Sequence, residues 1–249
     1  MRFEILGLLL LATASSVAYA EDAPPPPPPP WSGEVSAGSI VTTGNTESET
    51  FNAKGEVVYQ SKKWRNTSNG SVTKTETTDP LTDEDVVTAE RYLAGNKTDY
   101  NFDERNYAFV ALEFEKDLVG AVRERASETA GYGRKILLGP THLLEAELGA
   151  GARQTEEQGT RAKDDDVIGR FRAAYKWNFS ETSYFGETVK VESGDSNTFS
   201  ESVSELRVSL IGKLFALGSY TVRSNTDVPA GAKKTDTITA FSLGWTFGK

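Results

Sequence analysis

The protein has 249 residues, of which 37% are hydrophobic, and its formal net charge is −9. Beyond the first twenty residues it has no apolar run of about eighteen residues, which excludes a bundle of membrane-spanning helices but not a β-barrel. The acidic balance, without a basic stripe, excludes a protein that binds nucleic acid through its phosphates. The chain has no cysteine and one histidine, so we expect no disulfide, no metal site and no cofactor.

The first thirty residues are typical of an exported protein. Arg2 precedes an apolar stretch, and Ala18-Tyr19-Ala20 is the small-residue pattern of a signal-peptidase site. The sequence therefore predicts a signal peptide over residues 1–20, with cleavage after Ala20. Seven consecutive prolines follow at 24–30, and they predict a polyproline II spacer. We assign residues 21–30 to a proline-rich periplasmic linker and residues 31–249 to one domain.

From Trp31 onward, apolar and polar residues alternate with a period of two, which indicates β-strands. The clearest example is residues 166–179, where one face carries aromatic residues and the other carries three cations. Breaks in this pattern predict about twelve strands. They are residues 32–43, 48–60, 64–77, 86–97, 104–116, 123–138, 142–155, 166–179, 183–193, 198–212, 214–225 and 235–247. Three of them, 86–97, 104–116 and 123–138, alternate poorly.

These strands predict an all-β fold, a single antiparallel transmembrane β-barrel in the outer membrane. Most of them have ten or more residues, as a tilted strand needs to cross a bilayer, whereas strands of soluble proteins average about five or six. An even number of strands returns both barrel ends to the periplasm. Aromatic residues near strand ends are the expected contacts with the lipid interface. They are Tyr59, Tyr175, Trp177, Trp245 and Phe247.

Charged residues on the opposite strand faces are expected to point into the lumen. These candidates are Glu145, Glu147, Arg153, Arg170, Arg172, Lys176 and Arg223. Lumen charges either pair across strands and stiffen the interior or set the selectivity of a pore. Twelve strands enclose a bore between the filled eight-stranded barrels and the aqueous porins. We favour structural pairing over a selectivity filter.

Two segments resemble a known family. The first is Val41-Thr42-Thr43-Gly44-Asn45-Thr46-Glu47, and the second runs from Phe114 to Leu138 and contains Gly131-Tyr132-Gly133-Arg134. Together with the aromatic closing strand, their order is similar to that of the YdiY-like family of putative salt-induced outer membrane proteins. The resemblance spans roughly residues 31–249. It implies an outer-membrane barrel and a role in salt or envelope stress, and it implies no catalytic residues.

The sequence leaves the function open among three hypotheses. The first is a non-enzymatic barrel, either a narrow solute channel or an envelope-stress protein. The second is an outer-membrane lipase or protease, which would depend on His142 lying beside a serine and an acid. The third is a secreted β-sandwich that binds a ligand. The partners expected for the first are outer-membrane lipid and lipopolysaccharide, the barrel-assembly machinery and, through an open lumen, a small solute or ion.

Overall fold

The computed structural model describes residues 30–42, 47–79, 81–82 and 84–248, so the predicted signal peptide and most of the proline run lie outside the described residues. The described residues form twelve strands. They are β1 (Trp31–Thr42), β2 (Ser48–Gln60), β3 (Trp64–Thr78), β4 (Asp85–Asn101), β5 (Asn106–Asp117), β6 (Val122–Leu138), β7 (His142–Glu157), β8 (Lys163–Asn178), β9 (Ser183–Ser193), β10 (Thr198–Ser209), β11 (Leu214–Asn225) and β12 (Thr235–Phe247).

Each strand pairs with its neighbours in the chain, and β1 pairs with β12, so that the sheet closes into a barrel. The closing register places Gly33 opposite Phe247 and Ala37 opposite Leu243. All pairs are antiparallel, which short connections between consecutive strands allow. The predicted all-β barrel of about twelve strands is confirmed. None of the described residues forms a helix that is long and apolar enough to cross a membrane.

Several strand ends differ from the prediction. β4 continues to Asn101 rather than 97, because the backbone N–H of Asn101 donates to the carbonyl of Lys63 on the neighbouring turn. β7 and β8 reach Glu157 and Lys163, which reduces the predicted loop at 156–165 to residues 158–162. Polar residues conceal these extensions in the sequence, since period-two alternation needs apolar residues on one face.

The two faces of the sheet are inverted relative to a soluble protein. Apolar side chains on the outer face are exposed, with Leu148 at 67% and Leu243 at 57%, whereas the adjacent inner residue Glu147 is 1% exposed. An apolar outer wall is stable in contact with lipid and costly in water. The strand faces read from the alternation therefore match those of a membrane barrel.

One part of the outer wall departs from this rule. Four polar side chains of β3 and β4 point outward and hydrogen-bond to one another. The amide nitrogen of Asn66 lies 2.7 Å from the Thr98 hydroxyl, and that of Asn96 lies 2.8 Å from the Ser68 hydroxyl. Mutual bonding lowers the cost of facing lipid. This cluster explains why residues 86–97 alternate so weakly in the sequence.

Aromatic rings form a belt at the end of the barrel that carries the short turns 61–63, 102–105, 139–141, 179–182 and 210–213. Short turns face the periplasm in outer-membrane barrels. Trp31 packs on Tyr59, and Trp64 on Tyr100, with ring centroids 4.9 Å apart in both pairs. Such belts sit at the lipid–water boundary and set the depth of the barrel in the membrane.

The register gives the tilt of the strands. Following register partners across the sheet from β3 to β8, perpendicular to the strands, leads from Trp64 to Phe171 in five strand spacings. The residues between them are Tyr100, Ala108, Tyr132 and Leu148. Trp177 belongs to the same belt as Trp64, yet it lies six residues beyond Phe171 toward the short turns. Six residues of about 3.3 Å across five spacings of about 4.8 Å correspond to a tilt of about 40°, within the usual range for barrels.

Candidate functional site in the barrel lumen

The predicted lumen charges lie on the inner face, where the strand pairing places them side by side. Glu147 pairs in register with Arg172, and Arg153 with Asp166. Lys176 packs its ammonium 3.9 Å from the ring centre of Tyr184. The remaining candidates, Glu145, Arg170 and Arg223, also project inward and take part in ion pairs.

One group of inner charges is centred on Glu147. Its carboxylate accepts a hydrogen bond from Arg170 at 2.9 Å and one from the Tyr107 hydroxyl at 3.0 Å, and it also pairs with Lys97. Arg172 lies 3.5 Å away. Three cations around one buried carboxylate are electrostatically stable only while that carboxylate stays charged. We call these residues the Glu147 cluster.

A second group is centred on Glu115 and spans the lumen. Glu115 of β5 pairs with Arg223 of β11, six strands away in the barrel order and therefore on the opposite wall. Arg91 of β4 lies 3.3 Å from Glu115 and 3.6 Å from Glu201 of β10. Charge-assisted bonds between opposite walls narrow the lumen at this level. We call these residues the Glu115 cluster.

Arg153 of β7 links β8 to the turn between β9 and β10 at the rim of the barrel. Its guanidinium lies 2.8 Å from Asp166 and donates to the carbonyls of Glu192 and Asn197, at 3.3 and 2.5 Å. Asn197 belongs to the turn between β9 and β10, so this side chain holds the turn against β7. Its partners suit a structural role, because they occupy the guanidinium from several directions.

The comparisons with known proteins agree with this architecture. A family model described as "Protein of unknown function, DUF481" matches residues 35–247. The chain belongs to this family. The uncharacterized protein YdiY of Escherichia coli (strain K12) is 29% identical over 240 residues, which cover 94% of the chain and 90% of YdiY. The resemblance found in the sequence is thus confirmed, and the family carries no established activity.

Solved structures show the same fold at low sequence identity. An outer membrane channel from Pseudomonas putida F1 is 9% identical, with a TM-score of 0.52, and the match covers 91% of this chain and 98% of that one. The NanC porin is 7% identical, with a TM-score of 0.50, and the match covers 87% and 98% of the two chains. The family member described here is an outer-membrane-type, twelve-stranded β-barrel.

Sequence reasoning missed the aromatic residues inside the lumen. Tyr107 and Phe109 are 1% and 2% exposed, and both project inward from β5. Two other buried rings each contact a guanidinium group. Arg125 lies 3.9 Å from the ring centre of Phe199, and Arg207 lies 3.8 Å from that of Phe215. These cation–π contacts hold the charges in place. Aromatic residues inside a barrel look identical in the sequence to lipid-facing ones.

Glycines in the Gly-Tyr-Gly-Arg segment make room for one of these rings. A Cβ atom at Gly133 would lie 2.3 Å from the ring of Tyr107. A Cβ atom at Gly149 on the next strand would lie 3.0 Å from the ring of Phe109. Glycines on the inner faces of the neighbouring strands β6 and β7 are therefore the signal in the sequence that large side chains fold over those strands.

The lumen has a second, different side. The inner face of β3 carries small and polar side chains that remain partly accessible, whereas most inner residues of β5 and β6 are buried. The accessible β3 residues are Thr67, Asn69, Ser71, Thr73 and Thr75. Ser36 of β1 and Ser219 and Thr221 of β11 are accessible too. The accessible polar side chains of the lumen therefore lie along β12, β1 to β3 and the middle of β11, which we call the hydroxyl-lined wall.

The predicted interface aromatics are placed on the outer wall near the short turns. Tyr59 packs on Trp31, Trp177 on Phe179, and Trp245 is 51% exposed. Phe247 packs beside the backbone of Gly33 on the closing strand pair. Their contribution to anchoring the barrel in lipid stays a prediction.

His142 belongs to the same belt. Its Nδ1 atom lies 2.8 Å from the hydroxyl of Tyr175, and its ring stacks on those of Tyr175 and Trp177. Within the described part of the chain, neither a serine nor a carboxylate forms a hydrogen bond with this imidazole. The arrangement is that of an interfacial aromatic residue, and it gives no support to a lipase or protease mechanism.

Proposed function

We propose that the protein is a narrow outer-membrane channel for small hydrophilic solutes, which pass along the hydroxyl-lined wall. The observation that carries this proposal is the asymmetry of the lumen. Most ion pairs and buried rings lie on the side formed by β4 to β10, while partly accessible hydroxyl and amide side chains line the other side. Such groups replace the hydration of a small polar solute without trapping it.

The ion-pair clusters have a supporting role in this proposal. A twelve-stranded wall without internal struts would leave a wide bore. Pairs such as Glu115 with Arg223 tie opposite walls together and narrow the bore to one side. This agrees with the preference for structural pairing over a charged filter, and it makes small size the first requirement for passage.

The test is conductance of the refolded protein in a planar bilayer, with two tryptophan variants as a matched pair. Ser71 and Val72 are adjacent in β3, and their side chains point into the lumen and toward the lipid, respectively. We expect small, steady openings in the wild type, a several-fold lower conductance in Ser71→Trp, and no change in Val72→Trp. Inserted wild-type barrels that pass no current would refute the channel.

The remaining expectations about export and partners rest on the sequence. We propose that the mature protein begins at Glu21, that the barrel-assembly machinery inserts it, and that lipopolysaccharide surrounds its outer rim. The exposed apolar wall supports lipid contact. Mass spectrometry of the N-terminus of protein purified from outer membranes tests the cleavage site, and a mass that retains residues 1–20 would contradict it.

A further inference from the structure

We infer that the ion pair between Lys54 and Glu205 is the constriction that sets the charge selectivity of the proposed channel, an inference that rests on the proposed function. Lys54 is the central residue of β2, and its ammonium lies 2.7 Å from the carboxylate of Glu205 on β10. Between these strands lie β1, β12 and β11 in the barrel order. The pair therefore crosses the lumen in front of the hydroxyl-lined wall.

The register shows which side chains surround this pair. Lys54 lies between Ser36 of β1 and Ser71 of β3, and Glu205 lies opposite Ser219 of β11. All three serines belong to the accessible, hydroxyl-lined wall. A solute that moves along this wall therefore meets the ammonium and the carboxylate at the middle of the barrel.

The side chains of this pair are more exposed than those of the Glu115 cluster. The side chains of Lys54 and Glu205 are 40% and 21% exposed, whereas those of Arg223 and Glu115 are 9% and 11% exposed. A partly exposed pair is weaker than a buried one, because water screens it and long side chains lose entropy when they are held. Lys54 therefore leaves its partner more readily than Arg223 leaves Glu115.

Lys54 also has fewer charged partners than the arginine of the Glu115 cluster, which likewise indicates that it is the more mobile charge. Arg223 contacts Glu115 and Glu201, and its guanidinium also lies over the ring of Phe199. Among the described residues, Lys54 forms a salt bridge with Glu205 alone. A charge with one partner on a flexible four-carbon stem adapts to a passing ion.

A neighbouring pair supplies the rigid edge of the constriction. Arg207 of β10 lies 2.6 Å from Glu34 of β1, and its guanidinium stacks 3.8 Å from the ring centre of Phe215. The ring fixes the guanidinium, so this pair holds β10 near β1. The side chain of Lys54 then moves relative to this fixed pair, and the free cross-section of the lumen changes with its position.

The experiment measures the reversal potential of single channels in a potassium chloride gradient. Lys54→Gln leaves the carboxylate of Glu205 unpaired in the lumen, so we expect the K⁺ to Cl⁻ permeability ratio to rise at least about threefold. Glu205→Gln leaves the ammonium, and the ratio is expected to fall by a similar factor. Shifts of opposite sign are what a constriction formed by this pair requires.

The outer surface offers a matched control. Lys116 and Glu124 form a pair 3.1 Å apart whose side chains are 38% and 37% exposed, and they project outward from β5 and β6. Lys116→Gln and Glu124→Gln change the same charges outside the lumen, so the permeability ratio should stay at the wild-type value. Circular dichroism and heat-dependent gel mobility verify that each variant is folded.

The outcomes separate the inference from the proposed function. If the wild type and every variant insert without conducting, the channel itself is refuted. If they conduct and the lumen variants keep the wild-type permeability ratio, or shift it no more than the outer variants do, the channel stands and the constriction lies elsewhere. Opposite shifts confined to Lys54→Gln and Glu205→Gln support the inference.

Discussion

The strongest energetic prediction concerns Glu147→Gln. Glutamine keeps the shape of glutamate, but it removes the negative charge that Lys97, Arg170 and Arg172 share. The Glu147 side chain is fully inaccessible, so water cannot replace the lost partner. Removing one member of a buried ion pair typically costs about 3–5 kcal/mol, because the remaining charges stay desolvated and unpaired. Arg172 is partly exposed and can recover some hydration, which favours the lower end of this range.

The assay is urea unfolding of the protein in lipid vesicles, followed by tryptophan fluorescence. Glu124→Gln is the control, because it breaks a half-exposed pair on the outer surface and should cost no more than about 1 kcal/mol. The slope of the transition should stay constant, which shows that the variants unfold from the same structure. A loss below about 1 kcal/mol for Glu147→Gln would mean that the Glu147 cluster does not stabilise the barrel.

Three further predictions concern the outer wall, the glycine segment and the short turn 102–105. Leu148→Arg, on the lipid-facing side at mid-depth, should cost about 2–4 kcal/mol in vesicles, while Val167→Arg near the outer rim should cost about 0–1 kcal/mol; equal costs would contradict the assigned depths. Gly133→Ala should destabilise the barrel in the same assay, because its methyl group meets the aromatic ring packed over this position, whereas Gly169→Ala, which has open space around it, should not. The carboxylate of Asp103 accepts hydrogen bonds from the side chain of Asn106 and from the backbone N–H of Arg105, and these bonds lower its pKa. The bonds should hold the turn above the ordinary pKa of an aspartate and weaken as the pH falls through the lowered value, and a carboxyl titration by NMR at the ordinary pKa would contradict this.

Much of the architecture could be predicted from the sequence, because a membrane barrel imposes a strict period of two. The faces of the strand around Phe171 and of the closing strand around Trp245 follow directly from their alternation. The prediction was weaker from residue 86 to residue 138. There, β4 turns polar residues such as Asn96 toward the lipid, and β5 turns Tyr107 into the lumen, so both faces carry unexpected residue types.

The candidate site was only partly predictable. Alternation indicated that Glu147 and Arg170 share the inner face, since that depends on residue parity alone. It could not indicate that Glu115 meets Arg223, because 108 residues separate them in the chain. Lys54 and Glu205 are likewise 151 residues apart, and neither stood out as a candidate in the sequence.

Four properties could be read from the sequence: the fold class, the number of strands, the side of the wall on which most residues lie and the family. Each of these follows from short-range periodicity, turn chemistry or similarity along the chain. Which charges meet across the lumen, and which inner side chains stay accessible, became visible only in the folded barrel. The physical reason is that closure of the barrel and the tilt of its strands bring distant strands face to face, and the distance between opposite walls is not encoded in any local pattern.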